Sequence, residues 1–203
     1  MIRVVIGSRN KKKLKEMVAL LGDLELDLTD LTPYPDAPEV EETSETFVGN
    51  ATLKATQLAP VLGAWVIGED SGLCVPALGG APGVYSARYA GAHGDDQANN
   101  DKLLREMAHL TDDARAAYYV STAVLADPAG NVVASVEGRC HGLIVAERRG
   151  SGGFGYDPLF LVPEHGKTFG ELPPEVKQQM SHRAKAFADL RPVLTRVSGE
   201  RGV

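Results

Sequence analysis

Cysteine is scarce in this chain: two in 203 residues, Cys74 and Cys140, with no CxxC pair. That excludes the usual thiolate zinc spacings and a disulfide framework, and it fits a reducing compartment. Long apolar runs are also missing. Uncharged stretches such as Leu58 to Gly68 stop well short of the roughly 18 residues a membrane span needs. Met1-Ile2-Arg3 leads straight into a short apolar run without the pattern of a secretory signal, so the expectation is a cytoplasmic protein with no membrane partner. Positive charge is in deficit, 21 Lys plus Arg against 27 Asp plus Glu, a net charge of −6. A nucleic-acid surface would have to work against that field, and none is expected. A small anion is different, because a few lysines at a helix N-terminus suffice for it locally.

What is present reads as one α/β domain without repeats, low-complexity tracts or linkers. Arg3 to Gly7 is a short buried strand, Ser8-Arg9-Asn10 a turn, and Leu14, Met17, Val18 and Leu21 recur at helical spacing before Gly22 stops the helix. After a Pro-rich link and the acidic run Glu39-Val40-Glu41-Glu42, Thr43 or Ser44 is positioned to cap a second helix, which Pro60 ends near Ala59. Ala64 to Gly68 is a second buried strand that delivers Glu69-Asp70-Ser71-Gly72 at its C-terminal end. A helix over about 96–109 and a hairpin turning at Asp127 to Asn131 follow, then a second glycine-rich loop over Gly150 to Tyr156. Helical pattern resumes near Glu175 and is expected to break or kink at Pro192.

Four segments carry candidate chemistry. Lys11, Lys12 and Lys13 crowd the first turn of a helix whose dipole is already positive there, at a cost of a few tenths of a kcal/mol each. An anion docked on that turn reverses the sign; a solvated basic turn is the plainer reading. The GxxxxGK[ST] glycines of a Walker loop are absent. Glu69 and Asp70 at a strand's carboxyl end suit Mg²⁺ or a general base, with the acidic run able to supply a further carboxylate; a polar turn is the alternative. Gly152-Gly153-Phe154-Gly155-Tyr156-Asp157-Pro158 can lay an aromatic face on a planar base or simply form a turn with a core Phe. Lys177 and Ser181-His182-Arg183 offer hydrogen-bond donors near a helix start, or a surface pair. Together these make an inventory for a Mg²⁺-bound nucleoside triphosphate.

The same residues carry a resemblance. Ser8-x-Asn10-x-x-Lys13, Glu41-Glu42-Thr43, Thr46-Phe47, Asn50-Ala51, Lys54-Ala55 and Asp70-Ser71-Gly72-Leu73 come in an order that also includes Leu78 to Tyr89, Gly153 to Pro158 and Ser181-His182-Arg183. The chain resembles the inosine/xanthosine triphosphate pyrophosphatases, in their bacterial dITP/XTP form, from residue 8 to residue 183. The resemblance implies an α/β fold, a single elongated domain with a mixed twisted sheet and two lobes flanking a substrate cleft. It implies Mg²⁺-dependent hydrolysis of deaminated purine triphosphates to the monophosphate and pyrophosphate, by a homodimer. Carried over by position, Asp70 is the proton acceptor and, with Glu41, a metal ligand. Ser8, Asn10 and Lys13 hold the triphosphate, with Arg9, Lys11 and Lys12 lining the same turn, and Lys13 also offsets charge on the leaving group. Ser71 contacts substrate, Lys177 reaches a phosphate or the sugar, and Phe154, Gly155, Tyr156, Asp157, His182 and Arg183 form the base pocket. Glu69 stands where bacterial members usually carry Asp. A Maf-like pyrophosphatase for other nucleotides, a nucleotide sensor without turnover and a single-strand binder remain as alternatives.

Overall fold

The computed structural model of the protein describes residues 1–199. Its strands are Arg3–Ile6 (β1), Asp27–Thr29 (β2), Trp65–Cys74 (β3), Ala116–Ala126 (β4), Val132–Ile144 (β5), Phe160–Val162 (β6) and Lys167–Thr168 (β7). Its α-helices are Lys11–Leu21 (α1), Phe47–Leu62 (α2), Asp96–Glu106 (α3), Pro174–Met180 (α4) and His182–Gly199 (α5). The strands form one sheet in the order β2-β1-β3-β4-β5-β6-β7. β1 pairs in parallel with β2 and β3, while β6 pairs antiparallel with β5 and β7, so the sheet is mixed and the fold is α/β. Parallel neighbours need crossovers, which α1 and α2 supply.

The chain divides into two compact units. The first comprises Met1–Asp70, Ser121–Gly138 and the described residues from Arg183 onward. Strand alternation builds its two cores. Val4 and Ile6 of β1, Ile67 of β3 and Ala123 and Leu125 of β4 face Leu14, Met17 and Leu21 of α1 and Phe187, Leu190 and Leu194 of α5. The intervening residues Val5, Val66, Val124 and Ala126 face Ala51, Ala55, Leu58 and Ala59 of α2. The small residues matter there, because a Cβ on Gly68 would sit 2.1 Å from the Ala51 carbonyl oxygen, so α2 lies directly on β3. The second unit, Ser71–Val120 with Arg139–His182, packs Leu73, Leu103, Met107, Tyr119, Cys140, Ile144, Phe160 and Phe169 into a core of its own.

Several boundaries differ from the sequence reading. The cap of α2 is Thr46, whose hydroxyl accepts from the Gly49 N–H; Ser44 instead accepts from the Thr46 N–H one step earlier. Pro60 does not end α2, which runs to Leu62 and closes on Gly63 in the left-handed conformation. Pro192 likewise leaves α5 unbroken. Both prolines are exposed, so the missing N–H falls on the solvent side, while buried neighbours, Leu58 and Ala59 in one case and Leu190 and Leu194 in the other, hold the helix to its core. The largest difference is β3, which does not stop at Gly68 but continues through Cys74.

Candidate active site

Because β3 runs on, Glu69 and Asp70 lie inside an extended strand rather than in a turn after it. Successive side chains of a strand point to opposite faces. Glu69 therefore shares the Ile67 face with α1 and α5, and Asp70 shares the Val66 and Gly68 face with α2. The two carboxylates do not converge as a pair. They do lie beyond the carboxyl end of β1, whose last residue, Ile6, is in register with Ile67.

On the α2 face, Asp70 is 5% exposed. Asn50 and Lys54, one helical turn apart, both reach it: Asn50 Nδ2 donates to Oδ2 at 3.2 Å and Lys54 Nζ lies 3.5 Å from Oδ1. Lys54 also donates to the Glu69 carbonyl at 3.0 Å and pairs with Glu42 at 2.6 Å. The Ser44 N–H donates to Asn50 Oδ1, which pins the end of the acidic run beside α2. Burial is the largest influence on Asp70 and pushes its carboxyl up; Lys54 and Lys13 pull it down, and Glu42 and Glu69 add to the rise. Lys54 is half-buried, which lowers its pKa, yet Asp70 and Glu42 keep its ammonium above the ordinary lysine value. Asp70 is thus a more basic carboxylate than a free one, held from two sides.

On the opposite face, the Glu69 carboxylate is engaged by three donors. Lys13 Nζ reaches Oε2 at 3.0 Å, while Arg183 Nε at 3.1 Å and Ser121 Oγ at 2.9 Å reach Oε1. Burial opposes the charge, but Lys13, Arg183 and Lys54 outweigh it and hold Glu69 well below the usual carboxylate range. Lys13 sits at the head of α1, where the Asn10 side chain caps the helix by accepting from the N–H groups of Lys12 and Lys13. Ser8 Oγ accepts from the Asn10 N–H at 3.2 Å. Lys11 and Lys12 are exposed on this turn. Arg9 points elsewhere, its guanidinium donating to the carbonyls of Leu31, Tyr34 and Ala37 and so tying down the Pro-rich link.

The glycine-rich loop belongs to the second unit. Asp157, 2% exposed, accepts from the Phe154 N–H at 2.8 Å and pairs with Lys177 at 2.6 Å. Gly153 has φ +71°, and a Cβ there would stand 2.0 Å from Asp157 Oδ2, so both conformation and space demand glycine. Asp96 and Asn100 of α3 hold Gly155 through its N–H and carbonyl. Tyr156 is buried, with its hydroxyl donating to the Ser86 carbonyl at 2.8 Å. Phe154 is half-buried under the Lys177 ammonium, 4.8 Å from the ring centre. His182 stacks on Tyr119 at 4.7 Å with planes 12° apart.

Of the residues singled out from sequence, the first unit gathers Ser8, Asn10 and Lys13 at one helix head and holds Asp70 on the other sheet face. Lys177, Phe154 and Asp157 cluster in the second unit. Ser71, half-buried, begins that unit directly after Asp70. Glu41 is exposed; its neighbour Glu42 is the one whose carboxylate meets Lys54. Asn50, Lys54, Ser121 and Glu16 were not counted among the site residues. The i, i+4 spacing of Asn50 and Lys54 was the available signal for the first two; Ser121, distant in sequence, left none.

The description "Ham1 family" matches residues 4–193. A protein of Rhodopirellula baltica named dITP/XTP pyrophosphatase is 51% identical over 197 residues, 97% of this chain and 95% of its own length. The chain belongs to the Ham1 family. A Geobacter sulfurreducens relative of the same name is 47% identical over 94% of the chain and 96% of its own. The solved HAM1 protein of Coxiella burnetii superimposes with TM-score 0.88 at 39% identity, covering 97% of this chain and 100% of that one. Among the described residues of this Ham1 chain, no three His, Cys, Asp or Glu side chains are grouped to cage a metal ion. Mg²⁺ needs only one or two protein carboxylates when phosphates and water complete its shell, and the Asp70 carboxylate, with Glu42 beside the same lysine, fits that demand.

Proposed function

We propose that this chain hydrolyses deaminated purine nucleoside triphosphates, of the dITP, ITP and XTP class, to the monophosphate and pyrophosphate, clearing them from the nucleotide pool before they enter DNA or RNA. One observation carries the reading: a dITP/XTP pyrophosphatase 51% identical over 97% of the chain accompanies a buried carboxylate, Asp70, braced by Asn50 and Lys54. The reading includes one catalytic domain, a homodimer and a cytoplasmic location, all resting on the family likeness.

In this mechanism Asp70 accepts a proton from the attacking water, whose oxygen bonds to the α-phosphorus as the bond to pyrophosphate breaks. The raised basicity of Asp70 favours that transfer, and the two donors fix its orientation. Asn10, Ser8 and the N–H groups at the head of α1 receive phosphate oxygens, and Lys13 offsets charge on the leaving pyrophosphate. Mg²⁺, held by Asp70 with Glu42 or Glu41 nearby, would supply Lewis-acid polarisation of the phosphates and lower the pKa of the attacking water. Phe154 offers a stacking face to the base, and His182 a donor to the 6-oxo group that separates hypoxanthine from adenine. Ser71 takes a place on the substrate, and Lys177 orders the loop through Asp157. Each buried donor or acceptor left unpaired by a wrong base costs about 1–3 kcal/mol, so two mismatches suffice for roughly a hundredfold preference.

The test is pyrophosphate release from ITP, XTP, GTP, ATP and dTTP, with Mg²⁺ and with chelator. Release from ITP and XTP about a hundredfold above ATP and GTP, lost on chelation, is expected. Release across all bases, or from dTTP alone, would replace the base assignment with a Maf-like one, and ITP binding without release would make the protein a sensor.

A further inference from the structure

Only Ala98, Leu103 and Leu104 interrupt the polar run of α3 over Asp96–Glu106. A helix of that composition is ordinarily a solvated one, yet Asn99 and Asn100 are only 2% and 3% exposed. The polar side chains of α3 are spent on two loops of the same unit. On one face, Asn99 Oδ1 accepts from the Ala90 N–H at 2.7 Å and the Lys102 ammonium donates to the Tyr89 carbonyl at 2.8 Å. On the other, Asp96 and Asn100, one turn apart, take hold of a single residue of the glycine-rich loop. Asp96 Oδ2 accepts from the Gly155 N–H at 3.0 Å, and Asn100 Nδ2 donates to the Gly155 carbonyl at 2.8 Å. Arg148, ahead of the same loop, pairs with Asp101 of α3 at 2.7 Å. Gly155 has φ +60° and nothing within 4 Å of its would-be Cβ, so it is glycine for its conformation and not for space.

We propose that Asp96 and Asn100 are positioning residues for base recognition, setting the Phe154 ring through the two peptide groups of Gly155. Three successive peptide planes decide where that ring stands. The Gly153–Phe154 plane is held by Asp157, which accepts from the Phe154 N–H at 2.8 Å. The Phe154–Gly155 plane carries the N–H that Asp96 accepts, and the Gly155–Tyr156 plane carries the carbonyl that Asn100 holds. A glycine populates both signs of φ with ease, so its flanking planes stay put only when something outside the loop engages them. One helical turn supplies both partners, an acceptor for the N–H and a donor for the carbonyl. A stacking face that must first be ordered loses part of its binding energy to that ordering, whereas a preset face does not. The consequence is specific: loosening the grip of α3 weakens binding through the base and leaves the phosphate chemistry at Asp70 as it is.

The inference rests on the pyrophosphatase reading, and the wild-type protein separates the two. If the wild type releases pyrophosphate from no triphosphate, that reading fails and the proposal falls with it. With wild-type release established, kcat and KM for ITP are measured in Asn100→Leu, Asp96→Ala and Asp96→Asn, alongside a thermal melt of each. Loss of one hydrogen bond is expected to raise KM about 3- to 10-fold in the first two, with kcat within about twofold of wild type. Asp96→Asn, whose amide oxygen can still accept from the Gly155 N–H, is expected to keep KM within about twofold. In a Phe154→Ala background Asn100→Leu should add nothing to KM, because the ring it sets is gone. Inhibition by inorganic tripolyphosphate, which has no base to stack, should be equal in the wild type and all three variants. A merely structural role gives the opposite pattern, with fewer folded molecules and so a lower apparent kcat at unchanged KM. That pattern would overturn the proposal. So would a full further rise of KM in the Phe154→Ala background, or tripolyphosphate inhibition weakened in step with ITP.

Discussion

The tightest constraint on Asp70 is a residue with no side chain. Gly68 precedes Glu69 on β3, and a Cβ placed there would stand 2.1 Å from the Ala51 carbonyl oxygen and 2.7 Å from the Ala55 nitrogen, both backbone atoms of α2. Space alone excludes a side chain, since Gly68 is not among the glycines with positive φ. In Gly68→Ala, α2 must therefore retreat by about 1 Å, and α2 carries both residues that hold Asp70. Their contacts, 3.2 Å from Asn50 and 3.5 Å from Lys54, have little length to spare, and such a retreat breaks them. Overpacking of this kind costs about 1–3 kcal/mol of stability, which lowers Tm by roughly 2–4 °C per kcal/mol in a chain of this size. Misplacement of Asp70 in its proposed role as general base costs on the order of a hundredfold in kcat. Gly63→Ala is the matched control, because Gly63 has φ +59° but nothing within 4 Å of its would-be Cβ. Its left-handed strain costs about 1–2 kcal/mol of stability without moving Asn50 or Lys54. Thermal melts and pyrophosphate release from ITP then separate the two variants: similar losses of Tm, with kcat reduced only in Gly68→Ala. Equal kcat in both would refute the claim that close packing of α2 on β3 sets the Asp70 geometry.

Other substitutions divide the site by function. Asp70→Asn should abolish turnover while nucleotide binding, followed by fluorescence or calorimetry, persists; near-normal kcat would remove Asp70 as the proton acceptor. Phe154→Ala is expected to raise KM for ITP by roughly 5- to 150-fold, the value of about 1–3 kcal/mol of stacking, while Tyr156→Phe leaves KM alone and lowers Tm by the loss of one buried hydrogen bond. The reverse pattern in steady-state kinetics would exchange their roles. Lys177→Met leaves the Asp157 carboxylate buried without its ammonium and should destabilise the fold by about 3–5 kcal/mol, with partial recovery in the Lys177→Met, Asp157→Asn double variant. Denaturant titration of the wild type, both single variants and the double variant checks this, and additive losses would show that the pair is not the source.

The strand and helix periods were legible wherever one face meets a core. Val4, Val5 and Ile6 announced β1, Leu14, Met17 and Leu21 announced α1, and both lie where expected. The site motifs were equally legible as segments, since glycines, lysines and carboxylates stand out against an apolar background. What the sequence did not disclose was the direction of each side chain. Glu69-Asp70 reads as a pair only if the chain turns there; once β3 continues, the pleat sends one carboxylate to α1 and α5 and the other to α2. Arg9 and Arg183 illustrate the same limit. Both stand in motifs that suggest ligand contact, yet one ties down a loop through three carbonyls and the other joins the carboxylates of Glu69 and Glu16. Their partners, Leu31 to Ala37 for Arg9 and Glu16 and Glu69 for Arg183, are brought close only by tertiary packing, so no local spacing could reveal them. A cation in a motif therefore marks where an anion or a carbonyl must be satisfied. Whether that acceptor is substrate or protein depends on which strands and helices meet there, and in this chain the cations nearest the carboxylates are largely satisfied by the protein itself.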